Sequence, residues 1–207
     1  PGPTPVPERV LQAMCRQMIG HRGPGFKKII QEAQEGIKWA HQTKNDIMFI
    51  FGSGTAGMEA SVANMFSAGD KVLVANVGNF GTRFVKICKA YGLDVIDYKV
   101  ERGKAADPKE IDKLLTANKG IKGLLFQQNE TSSAVLNDVE AIAKVAKKHD
   151  VLTVVDAISG LLTAPLPADE WGLDVVISGS QKAFMIPPGL AFVSVSEKGW
   201  KYNAESK

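Results

Sequence analysis

Short apolar runs alternating with helix-length stretches constrain this chain more than any other feature. Ile47 to Phe51, Lys71 to Ala75, Asp94 to Tyr98, Gly123 to Phe126, Leu152 to Val155, Val175 to Ile177 and Leu190 to Val195 read as strands, the first of them buried. Helical periodicity fills the gaps: Pro7 to Ile19, Phe26 to Thr43, Gly54 to Phe66, Phe80 to Tyr91, Asp107-Pro108 to Ala117, and Asp138 to His149. Strands apolar on both faces and separated by helices specify a mostly parallel, doubly covered α/β sheet of about seven strands. The final run follows its predecessor by a link too short for a helical crossover, so it is expected to be antiparallel. Glu197-Lys198-Gly199 then reads as a charged turn. Ligands of such sheets bind beyond the carboxyl ends of the strands.

Bulk properties remove several classes of function. At 207 residues the chain can bury a sizeable core, as one large domain or two small ones. Its net charge of +3 comes without a basic run or stripe, which argues against nucleic acid. No apolar stretch approaches the roughly 18 residues of a membrane span. Cys15 and Cys88 have neither metal-type spacing nor the pattern of a disulfide framework, so a reducing cytoplasm is the default compartment. His21, His41 and His149 share no spacing and read as surface or helix-end residues. No G-x-S-x-G nucleophile elbow and no cluster of metal-ligand residues is present. Asn129-Glu130-Thr131 matches a glycosylation sequon, read as a chance match. Both ends look incomplete, because Pro1-Gly2-Pro3-Thr4 lacks a methionine and Lys207 follows closely on the last strand. The chain therefore reads as a fragment of something longer, which leaves an organelle open as its location.

The chemistry-bearing residues fall at the expected strand ends. Gly52-Ser53-Gly54-Thr55-Ala56-Gly57 formally matches the dinucleotide fingerprint, which also requires an acidic residue closing the second strand. That strand ends Leu73-Val74-Ala75-Asn76, so a nicotinamide reading loses its second half. A helix N-terminus with the hydroxyls of Ser53 and Thr55 remains, sized for a phosphate monoester. A ligand-free glycine turn is the competing reading. Lys182, in Ser178-Gly179-Ser180-Gln181-Lys182, follows one strand, and Asp156 closes the preceding one. An amine for a Schiff base and a carboxylate for a pyridinium nitrogen suit pyridoxal phosphate. Asp156 equally suits a simple loop cap. Ile158 shares its face and is placed to pack against one side of the ring. Phe80, in Gly78-Asn79-Phe80-Gly81-Thr82-Arg83, stacks on the other side or belongs to the core. Thr131, in Glu130-Thr131-Ser132-Ser133, reaches the phenolic oxygen or satisfies its own backbone.

In the order phosphate loop, aromatic, hydroxyl loop, aspartate, lysine, these segments resemble the class V aminotransferases of pyridoxal phosphate fold type I. The alanine–glyoxylate and serine–glyoxylate branch is the nearest in pattern, and the Pro1-Gly2-Pro3-Thr4 opening also looks like its N-terminal segment. The resemblance implies Lys182 as the Schiff-base lysine and Asp156 as pyridinium partner. It places Ser53, Gly54, Thr55 and Gln181 on the phosphate, Phe80 and Ile158 on the ring faces, and Thr131 on the phenolic oxygen. It implies transfer of an amino group from a small amino acid, alanine or serine, to a keto acid such as glyoxylate. It further implies a homodimer whose mate completes the phosphate site, and a C-terminal domain, not in this chain, carrying the carboxylate-gripping arginine. Residues 1–24 would then be an N-terminal segment and 25–207 the large cofactor domain. Three departures stand out: Phe80 where the branch often has tryptophan, Gln128 where it often has histidine, and Ala134 where it usually has glycine. A cysteine desulfurase or other class V lyase is the nearest alternative, although desulfurases carry histidine where Gln181 stands. A non-catalytic binding or assembly subunit is the other.

Overall fold

The structure, a computed structural model, describes residues 2–207. The elements run α1 (Glu8–Met14), α2 (Pro24–His41), β1 (Asp46–Phe51), α3 (Gly54–Met65), β2 (Lys71–Asn76), α4 (Asn79–Ala90), β3 (Asp94–Lys99), α5 (Pro108–Ala117) and β4 (Ile121–Gln127). They continue β5 (Asn129–Glu130), β6 (Val135–Leu136), α6 (Val139–Lys148), β7 (Leu152–Asp156), α7 (Ala168–Trp171), β8 (Val175–Gly179), β9 (Leu190–Val195) and α8 (Glu197–Glu205). Seven strands form one sheet in the order β1-β9-β8-β7-β4-β2-β3, and β5 and β6 form a separate small hairpin. β9 is antiparallel to both of its neighbours, β1 and β8, and the other described pairs of this sheet are parallel. This is the expected parallel α/β sheet with its last strand reversed.

Period-two alternation divides the sheet's side chains between two cores. Val72, Val74, Leu125, Leu152, Val154, Val175 and Ile177 face Met58, Val62, Phe84 and Val85 of α3 and α4. Leu73, Ala75, Leu124, Phe126, Val155 and Val176 face Ile111, Leu115, Ile142 and Ala146 of α5 and α6. Beside this second core, Ile37 of α2 packs on Ile47 and Phe192. The helices follow local rules: Asp107 caps α5 by accepting from Lys109 N at 2.9 Å, with Pro108 in the first turn.

Several expectations are corrected. The helix expected over Pro7 to Ile19 stops at Met14, and Met18 and Ile19 are exposed. Its apolar residues find no core to pack on, and α1 buries none of its side chains. β1 is not a buried strand but an edge: it pairs with β9 alone, and Phe51 is 94% exposed. Glu197-Lys198-Gly199 opens α8 rather than forming a turn, because the Ser196 hydroxyl caps Gly199 N at 3.0 Å. His41 ends α2 yet is fully buried, with Nε2 2.9 Å from Ser178 Oγ, and burial pulls its imidazole down to about 4. The hairpin of β5 and β6, with two residues in each strand, was too short to carry a pattern.

Close packing brings α3 onto the sheet at a glycine. A Cβ on Gly57 would lie 2.8 Å from Ile177 Cγ2 and 3.2 Å from Ala191 Cβ. Gly57→Ala is therefore expected to destabilise the fold by about 1–3 kcal/mol. Urea unfolding checks this, and an unchanged midpoint would contradict the packing described.

Candidate active site

The topology collects the sequence-predicted residues at one end of the sheet. β7 and β8 are adjacent and parallel, with Asp156 opposite Ile177, so Asp156 and the turn carrying Lys182 leave the sheet side by side. The chain enters α3 from β1, at the sheet edge, and crosses over β9 and β8. That crossing brings the Gly52 loop over the end of β8. Gly54 packs under Ile158: a Cβ there would lie 2.5 Å from Ile158 Cδ1 and 2.8 Å from Cγ1. Ile158 also approaches Gly179, where a Cβ would stand 3.3 Å from its Cγ2. Ile158 thus forms an apolar floor between the glycine loop and the lysine turn.

Asp156 is buried, 3% exposed, and accepts a hydrogen bond from Ile158 N at 3.0 Å. Burial pushes its carboxyl up to about 7, against the pull of that hydrogen bond. Glu130 adds to the upward push, while Arg83 and Lys182 oppose it. Lys182 is partly buried; desolvation lowers its ammonium below the ordinary lysine value, and Asp156 pulls it back up. A buried carboxylate and a desolvated lysine that sense each other are the kind of perturbed pair found at functional sites.

The Gly52 loop has the form of an anion site. Gly52 takes φ +150°, and its N–H donates to Gly189 O at 2.9 Å. Ser53 is the N-cap of α3, yet its hydroxyl makes no capping hydrogen bond. The first N–H groups of a helix have no intrahelical partner and carry the positive end of its dipole. Thr55 Oγ1 accepts from Arg83 Nη1 at 2.6 Å.

Phe80 belongs to none of the three hydrophobic clusters among the described residues, so it is not a core residue. It lies instead beneath Arg83, whose guanidinium carbon is 4.7 Å from the ring centre. Thr131 Oγ1 donates to Ser159 Oγ at 2.8 Å, and Asn129 Nδ2 donates to the same oxygen at 2.9 Å.

Four neighbours of these candidates were given no role by sequence reasoning. Arg83 stood within the quoted Gly78 to Arg83 segment, but only the fold brings it onto Thr55. Ser159 had no signal beyond its distance of one residue from Ile158. Glu130, quoted only as the neighbour of Thr131, is fully buried in β5. The N-terminal segment crosses the lysine turn: Thr4 N donates to Gln181 O at 3.0 Å, and Thr4 Oγ1 donates to Lys182 O at 2.8 Å. Of the sequence departures, Ala134 sits at φ +54°, the left-handed region that favours glycine. Gln128 is buried and donates from Nε2 to Ala164 O at 3.3 Å and Pro165 O at 3.2 Å.

The residues present fit pyridoxal phosphate. Gln181 Oε1 is buried without a hydrogen-bond partner among the described residues, close to the start of α3, whose N-cap hydroxyl makes no capping bond. Asp156 is a buried carboxyl held near the point of ionisation, which a cationic ring nitrogen would drive to its charged form.

A parallel sheet with a lysine and a carboxyl at adjacent strand ends, under a glycine-opened helix, is the architecture of a cofactor-binding α/β domain. The chain belongs to the aminotransferase class-V family, whose model matches residues 1–202. It is 47% identical over 204 residues, 97% of this chain and 53% of the relative, to the "Soluble hydrogenase, small subunit" of Synechococcus sp.. It is 39% identical over 203 residues to the L-aspartate–glyoxylate aminotransferase of Paracoccus denitrificans, covering 96% of this chain and 51% of that one. Among solved structures it is similar to the ureidoglycine–glyoxylate aminotransferase of Bacillus subtilis, with a TM-score of 0.95 and 31% identity over 99% of this chain and 53% of that one. The chain spans about half the length of the curated relatives it matches. No described helix is long and apolar enough to cross a membrane.

Proposed function

We propose that this chain forms the pyridoxal phosphate cradle of an aminotransferase that moves an amino group from a small amino acid to glyoxylate. The observation that carries the reading is the pairing of Asp156 and Lys182 at neighbouring strand ends, electrostatically coupled and beneath the start of α3. Bound pyridoxal phosphate supplies an electron sink for the substrate's α-carbon. The protein's own residues do the rest. Lys182 provides the amine that holds the cofactor covalently. Its Nζ, with proton affinity lowered by burial, would also carry the substrate's α-proton. Asp156 holds the ring nitrogen protonated. Ser53, Gly54, Thr55 and Gln181 hold the phosphate, Phe80 and Ile158 cover the ring faces, and Thr131 with Ser159 holds the phenolic oxygen.

Alanine, serine and aspartate are the amino donors favoured by this reading, the last because of the Paracoccus relative. The N-terminal segment, 1–24 in sequence, is held on the lysine turn through Thr4, and 25–207 serve as the large domain of a cytoplasmic homodimer. The reading is tested by mixing the intact protein with pyridoxal phosphate, reducing with borohydride and mapping the modified peptide. One pyridoxyl group per chain on Lys182 is expected. No label, or label scattered over exposed lysines, would overturn the assignment. A donor–acceptor screen with glyoxylate then identifies the substrate pair.

A further inference from the structure

Glu130 is fully buried in β5, and four donors converge on its carboxylate. Oε2 accepts from Phe80 N at 2.9 Å and Gly81 N at 3.2 Å. Oε1 accepts from Ser132 N at 3.0 Å and Ser132 Oγ at 2.8 Å. Ser132 Oγ also accepts from Asn79 N at 3.2 Å, which closes the link. The approach leaves no room for a side chain at Gly78, where a Cβ would lie 2.6 Å from Glu130 Cγ and 2.7 Å from Cδ.

Helix capping by itself needs no such device. A serine or aspartate at the N-cap satisfies the first N–H groups locally, as Asp138 does for α6. In α4 the N-cap is Gly78, and the cap is supplied from a distant hairpin at the cost of burying a carboxylate. What distinguishes this arrangement is what it joins. One pair of donors belongs to the helix start that carries Phe80. The other belongs to the turn that follows Thr131.

We propose that Glu130 is the positioning residue of the cofactor ring, fixing the stacking face of Phe80 and the hydroxyl of Thr131 relative to each other. The proposal rests on the cofactor reading above. Glu130 acts through these two neighbours, while the phosphate end is held separately at the start of α3. Loss of Glu130 should therefore loosen the ring and leave the phosphate anchor intact.

Glu130→Gln places an amide NH2 against N–H donors, because every oxygen of the carboxylate is already accepting. In the intact protein this variant is expected to weaken pyridoxal phosphate binding by about tenfold or more, as hydrogen bonds to a charged group are lost. The visible circular dichroism of the bound cofactor, which reports a fixed ring orientation, should fall with it. Affinity for inorganic phosphate, measured by competition, should stay within about twofold of wild type, well inside the tenfold that 1.4 kcal/mol represents. An equal loss for both ligands would mean a merely structural role and would overturn the proposal. So would unchanged cofactor affinity and dichroism. If Glu130→Gln does not fold, Ser132→Ala decides: it keeps the carboxylate and removes one donor and the Asn79 link. A smaller loss in the same two readouts supports the proposal, and no change in either overturns it. Wild-type protein that takes up no pyridoxal phosphate would sink the cofactor reading itself, whereas wild-type uptake with indifferent variants sinks only the role of Glu130.

Discussion

Lys182→Ala is expected to lower the transamination rate of the intact protein by at least about a thousandfold, since in the proposed function one amine serves as both covalent anchor and proton carrier. Borohydride should no longer attach pyridoxal to the peptide containing residue 182. The loss should be chemical rather than structural. Lys182 is only partly buried and lies in a turn, and Thr4 holds that turn through the backbone carbonyls of Gln181 and Lys182. The variant's thermal midpoint should therefore stay near that of wild type. A rate within tenfold of wild type, with the cofactor still trapped elsewhere, would remove Lys182 from the chemistry.

Asp156→Asn should separate activity from stability. The folded carboxyl titrates near 7, above its ordinary value of 3.8, chiefly because burial disfavours the charge. Folding therefore favours the protonated form. The stability this group allows is fully present below about pH 4 and is lost as pH rises through about 7. At pH 8 the cofactor-free protein carries a buried charge at a cost on the order of 4 kcal/mol. Asparagine has the same shape and no charge. The variant should melt at least about 5 °C higher than wild type at pH 8 without cofactor, and close to wild type at pH 4. Its transamination rate should nevertheless fall by about a hundredfold or more, because a neutral amide cannot stabilise a protonated ring nitrogen. Equal melting temperatures at pH 8 would show that Asp156 carries no cost of this kind.

Much of this fold was legible because its strands are continuous apolar runs bounded by polar or glycine residues. Leu190–Val195 matches its expected limits, and the other main strands differ by a few residues at their ends. The reversal of β9 was legible as well, since a short link cannot cross the sheet. The misreadings share one physical cause. Met18 and Ile19 extended a helical period that no core rewards, so α1 ends early. Gly199 hid α8, although Ser196 was in place to cap it. His41 does end its helix but is buried rather than at the surface, because α2 packs its last turn against the strands beside Ser178. Glu130 carried no reading of its own in the sequence. Two of its four hydrogen bonds come from Phe80 and Gly81, 50 and 49 positions away, which local patterns do not encode.

By itself the sequence determined which residues stand at strand ends and which face of each strand they share, because local periodicity carries that information. It therefore offered Lys182, Asp156, Ile158, Phe80, Thr131 and the Ser53–Thr55 loop as candidates, while Gln181 entered only through the resemblance to the class V aminotransferases. Tertiary structure alone decided which strands are neighbours, and so placed Asp156 beside the lysine turn and Gly54 beneath Ile158. It also recruited Arg83, Ser159, Thr4 and Glu130. Strand order is a balance of non-local contacts, whereas a period of two specifies a face and not a neighbour.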